Sequence, residues 1–120
     1  MARAPRTFRE HFLAPLGRGG LEAPSSQGEA ENQVCGDWVR LQVRWDGERI
    51  GAVAMHVRGC SATIACASLV VEALEGLDLA GARALDVRAL AESAGAGPRD
   101  LSHAPAVVSR ALLETLAHFP

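Results

Sequence analysis

Lysine is absent from this 120-residue chain, and all 12 of its basic residues are arginines. With abundant alanine and glycine alongside, the absence reads as the compositional bias of a GC-rich genome rather than as mechanism. Basic runs are missing too. Twelve basic against 14 acidic residues leave a formal charge of -2, so the clustered positive surface that holds nucleic acid is not expected. No segment approaches the roughly 18 apolar residues of a membrane span. The arginine-bearing N-terminal stretch also lacks the apolar core of about 7–15 residues that marks a secretory signal. A soluble, cytoplasmic protein with no membrane contact is expected. Cysteine is scarce and odd in number, at Cys35, Cys60 and Cys66, which argues against a disulfide framework and for reduced thiols. There is no CxxC pair to support a thiol oxidoreductase, and no internal repeat.

What is present suffices for one core. An apolar share of 48% over 120 residues predicts a single domain spanning 1–120. Thr7 and Glu10 have the spacing of a capping box, which predicts a short helix to about Leu13. Pro15 and the glycines that follow end it, and the polar stretch of about 22–34 reads as a mobile loop. From Trp38 the residues alternate, with Val39, Leu41, Val43 and Trp45 on one face. Asp46-Gly47 is a hairpin signal, and Val53, Met55 and Val57 mark a returning strand.

That hairpin carries Cys35 and Gly59-Cys60 to one end of the sheet. Beyond Cys60, "SATIACASLVVEALEG" predicts a buried helix closed by Gly76, with Ala62, Ala65, Ala67 and Ser68 small enough to lie close on the sheet. "DVRALAESAG" predicts a short helix, and the C-terminal stretch a last helix with Pro105 in its first turn. The expected class is α+β: a small antiparallel β-sheet of about three strands, the third unplaced, packed against helices.

The order "ENQVCGDWVRLQV", hairpin, "GCSATIACASLVVEAL", proline-led helix resembles the iron-sulfur cluster assembly scaffolds of the IscU, SufU and NifU N-terminal type. "FREHFLAPLGRGGLE" is similar to a worn form of their opening segment, with His11 and Pro15 retained. The resemblance implies an IscU-like fold of the kind also called SufE-like. It also implies a metal or nascent-cluster site in which Cys35, Asp37 and Cys60 are ligands, and Cys60 or Cys35 accepts sulfur. The separation of Cys35 and Cys60, 60 minus 35 or 25 residues, is closer to the SufU-like branch.

In the family frame set by Pro105, Arg110 stands where the third ligand cysteine belongs. Ser109 and Val107 stand where the IscU branch has a histidine and a chaperone-recognition lysine. Cys35, Asp37 and Cys60 alone leave a tetrahedral zinc site one ligand short, and clusters favour thiolates more strongly still. The guanidinium of Arg110 is expected to fork onto Asp37 as an ion pair in place of metal.

The remaining candidates are plainer. Cys60 precedes a helix, where free NH groups and the dipole favour a thiolate. Cys66 lies six residues along that helix, about 240° round from Cys60, and reads as packing. His103, about 10 Å along the axis from Arg110, reaches the site only if the loop before Pro105 folds back; a helix-start or solvent role is the expectation. His11, His56 and His118 carry no expected chemistry.

Two functions follow from the resemblance. One is a scaffold or sulfur acceptor, not an enzyme. It would hold a transient 2Fe-2S iron-sulfur cluster, iron or zinc, and work with a cysteine desulfurase and cluster-acceptor apoproteins. The other is an IscU-fold protein-binding module without metal chemistry.

Overall fold

The structure is a computed structural model and describes residues 5–119. Helix α1 (Phe8–Leu13) starts at Thr7, whose hydroxyl accepts from the Glu10 NH at 3.1 Å while the Glu10 carboxylate accepts from the Thr7 NH at 3.0 Å. This is the reciprocal cap the spacing predicts.

Three strands follow: β1 (Ser26–Glu31), β2 (Trp38–Asp46) and β3 (Arg49–Arg58). They form one antiparallel sheet in the order β1-β2-β3. The unplaced third strand is therefore β1, inside the stretch expected to be a mobile loop. The expectation failed because the inward-facing residues of β1 are Ser26, Gly28 and Ala30, small rather than apolar, alternating with outward-facing Gln27, Glu29 and Glu31.

The hairpin turns at Gly47-Glu48, since Asp46 pairs with Arg49. A register shift near Arg44 and Trp45 leaves Gly51 unpaired, so that Ile50 as well as Val53, Met55 and Val57 reaches the core.

Helix α2 (Ser61–Leu74) packs on β3, and α5 (Ala104–Ala117) on β1 and β2, with the two helices also touching each other. Between them, α3 (Leu79–Arg83) and α4 (Val87–Ser93) begin at Asp78 and Asp86, whose carboxylates accept from Gly81 and Ala89 NH groups. Only α3 lacks a counterpart in the sequence reading; five residues are too few to register as a periodic pattern. Val39, Leu41, Val43, Met55, Val70, Leu74 and Val108 are sealed between the sheet and the two long helices. No described helix is long and apolar enough to cross a membrane.

His11 is fully buried rather than bland. Its Nδ1 lies 2.7 Å from the Ser68 hydroxyl, and Nε2 stands 3.4 Å from Glu72 Oε1 without hydrogen-bond geometry. Burial pushes the imidazole below its ordinary range against the opposing pull of Glu72. A histidine depressed in the folded state stays neutral where the unfolded chain takes up a proton. Its contribution is therefore intact above the unfolded value and lost as pH falls below about 6.5. Melting temperature should drop between pH 7.5 and pH 5.5, and His11→Gln should flatten that slope; an unchanged slope would remove His11 as the cause.

Candidate metal and sulfur site

The end of the sheet where β2 begins and β3 finishes opens into a cleft of about 690 Å³. Cys35, Asp37, Arg58, Cys60, Arg99 and His103 are among its lining residues.

Cys35 sits on the loop joining β1 to β2. That loop is closed by the Asn32 NH donating to the Asp37 carbonyl and the Gly36 NH to the Asn32 carbonyl, both at 2.7 Å, with the Asn32 side chain accepting from the Val34 NH. The side chains of Cys35 and Val34 are left in solvent, Val34 with 90% of its surface exposed.

Asp37 is the fixed element. It is buried, and its Oδ1 accepts from the Cys60 NH at 3.2 Å. Its Oδ2 accepts from the Thr63 hydroxyl at 2.7 Å and faces the Cys60 thiol at 3.5 Å. Burial pushes the carboxyl up, but the bonds from the Thr63 hydroxyl, the Cys60 NH and the Cys60 thiol outweigh it and hold the group below the usual carboxylate range.

Cys60 and His103 are the N-cap residues of α2 and α5, and neither side chain is spent on capping its helix. Both are exposed, so a thiol and an imidazole at two helix starts are free to face the same cleft.

Thr63, which sequence reasoning passed over, is fully buried and ties α2 to Asp37. No local pattern singled it out, because its partner is 26 residues away. Thr63→Val keeps the shape but removes the donor to a charged acceptor, which should cost about 1.5–3 kcal/mol; urea denaturation measures it, and an unaltered midpoint would mean the bond contributes nothing.

The expected pair of Arg110 with Asp37 is not formed. Arg110 is exposed and does not line the cleft; its Nη2 donates to the carbonyl of Glu31, a lining residue at the end of β1, at 2.6 Å. Arg110 lies about two turns along α5 from the residue of that helix start which lines the cleft. The helix begins at Ala104, with Pro105 in its first turn, and the loop before it does fold back, so His103 is the residue presented to the cleft.

Cys66 packs in the core, and burial together with Asp100 and Cys60 pushes its thiol up to about 12. It is no ligand.

The family description NifU-like N terminal domain matches residues 6–120. The chain belongs to that family. It is 38% identical over 95 residues to the bifunctional protein NifU/MnmA of Rubrobacter xylanophilus, covering 78% of the chain but 19% of that relative. It is 27% identical over 110 residues to iron-sulfur cluster assembly scaffold protein IscU 1 of Archaeoglobus fulgidus, covering 92% of the chain and 72% of that protein. The zinc-dependent sulfurtransferase SufU of Bacillus subtilis is 30% identical over 74 residues, 62% of the chain and 50% of SufU.

Among solved structures, a SUF-system scaffold candidate from Fervidobacterium islandicum AW-1 superposes with a TM-score of 0.61 at 17% identity, covering 88% of this chain and 93% of that one. The α+β architecture expected from the family is the one observed.

Proposed function

We propose that this chain acts in iron-sulfur cluster assembly as a carrier rather than an enzyme. It takes sulfur from a cysteine desulfurase onto an exposed thiol, binds metal through Cys35, Asp37, Cys60 and His103, and passes its cargo to acceptor apoproteins. The cargo is sulfur or a nascent 2Fe-2S cluster.

The observation that carries this reading is the 3.5 Å between Cys60 Sγ and Asp37 Oδ2. Zinc at about 2.3 Å from sulfur and about 2.0 Å from oxygen, at the tetrahedral angle, separates two such ligands by roughly 3.5 Å. The pair therefore already has ligand-to-ligand spacing. Among the described residues no trio of His, Cys, Asp or Glu side chains is yet gathered closely enough to hold a metal, so Cys35 and His103 have to turn inward to complete the set. Two thiolates, a carboxylate and an imidazole are donors that zinc accepts.

The chain's own residues do the positioning. Thr63 and the Cys60 NH orient Asp37 with its charge intact, and the helix starts of α2 and α5 offset negative charge on the thiolates. Held by Cys35, Asp37, Cys60 and His103, zinc would favour the deprotonated form of the two thiols.

The test is an anaerobic competition titration with zinc, alongside reconstitution with iron and sulfide. His103→Ala should weaken zinc binding at least about tenfold, in the range seen when groups around a metal are removed, while Arg110→Ala leaves it unchanged. Retention of wild-type zinc affinity by both Cys60→Ser and His103→Ala would sink the reading.

A further inference from the structure

Two exposed thiols border one buried carboxylate: the Cys60 thiol lies 3.5 Å from Asp37 Oδ2, and Cys35, two residues before Asp37 in the chain, lines the same cleft. Both thiols therefore stand at the same end of the sheet, on the rim of one cleft. No third thiol joins them, because the third position of the cleft is an imidazole, that of His103, and Cys66 is sealed in the core.

The two thiols are also unequal. Cys35 stands on an exposed loop tip beside the exposed Val34, where a bulky sulfur donor can reach it. Cys60 is anchored at the start of a 14-residue helix, held between Asp37 Oδ2 at 3.5 Å and the Thr63 hydroxyl at 3.4 Å.

From this we infer that in the metal-free chain Cys60 resolves a persulfide formed on Cys35, releasing sulfide and leaving a Cys35–Cys60 disulfide. The step rests on the sulfur-acceptor reading above and extends it from carrying sulfur to reducing it.

The Cys60 thiolate, its proton given to solvent, attacks the Cys35 sulfur. A Cys60–Cys35 bond forms as the bond from Cys35 to the outer sulfur breaks. The outer sulfur leaves with that bond's electron pair as hydrosulfide, so the sulfur delivered is reduced and the two protein thiols hold the oxidation as a disulfide. A low-molecular-weight thiol reductant, two equivalents per turnover, restores the dithiol. Closing the disulfide requires the two Cα atoms within about 7 Å. Gly36, next to Cys35 and at a φ of 76°, gives the loop a backbone suited to that approach. The cleft thus makes sulfide where it binds metal.

The experiment uses zinc-free protein under anaerobic conditions, treated with stoichiometric sodium tetrasulfide, desalted, and followed by intact mass and by sulfide assay. The wild type should gain about 32 Da, then settle about 2 Da below its reduced mass as one equivalent of sulfide appears. Cys60→Ser should hold the adduct at least tenfold longer, until a thiol is added, and Cys66→Ala should behave as wild type. Equal adduct lifetimes in the wild type and Cys60→Ser overturn the resolving step while leaving the acceptor reading intact. Absence of an adduct from every variant overturns both. A stable adduct seen only in Cys35→Ser overturns the assignment of Cys35 as the acceptor.

Discussion

Gly28→Ala should lower the melting temperature by at least about 10 °C, the shift that a loss of roughly 2–3 kcal/mol produces in a domain of this size. A Cβ on Gly28 would lie 2.3 Å from the Thr115 backbone nitrogen and 2.6 Å from the Glu114 carbonyl carbon. Neither atom can step aside, because both belong to the backbone of α5, which is packed on β1 and β2 through Val108, Ala111, Leu112 and Thr115. The helix must lift from the strand or the strand must leave the sheet, and either movement opens the core. Thermal denaturation of the two proteins side by side measures the effect, and a loss under about 2 °C would mean that α5 rides over β1 more loosely than described.

Gly59→Ala should spare the fold and disable the site. The added Cβ would meet Asp37 Oδ1 at 2.5 Å and Cγ at 2.8 Å, so the atoms displaced are those of a side chain. Asp37 then rotates away, abandoning the bonds from the Cys60 NH and the Thr63 hydroxyl together with its spacing from the Cys60 sulfur. Zinc affinity should fall by about 100-fold, the upper range for disturbing the groups that orient metal ligands. Competition titration gives the affinity and urea denaturation the accompanying stability change. Wild-type affinity in Gly59→Ala would show that metal does not use Asp37 in the position described.

The contrast between these glycines also explains what could be read in advance. The hairpin of β2 and β3 was legible because its buried face is Val39, Leu41, Val43, Val53, Met55 and Val57, an alternation that announces itself. β1 was not, since closeness to α5 requires its inner face to be Ser26, Gly28 and Ala30, and small residues carry no apolar signal. Cys35, Asp37 and Cys60 were legible as one site because a hairpin must return its two ends to the same place, and the structure brings all three to one cleft. His103 was named but set aside. Whether a loop folds back before a helix is decided by tertiary packing, and the sequence pattern around Pro105 pointed to Arg110 instead. Thr63 was invisible for a different reason: its importance lies in one buried bond to a residue 26 positions away, which no local periodicity encodes.

The strand β3 lies at the border of the sheet, yet its free side is occupied. Met55 donates to the Gly17 carbonyl at 2.7 Å and accepts from the Gly19 NH, while Ile50 donates to the Leu77 carbonyl and accepts from the Gly76 NH, both at 2.8 Å. An open border of this kind is where molecules zip together into aggregates. Two unrelated stretches of the same chain have taken those pairing positions on β3, leaving a neighbouring molecule little ladder to extend. A protein that leaves two thiols bare to its surroundings thus limits the more damaging form of stickiness at the strand whose end delivers one of them.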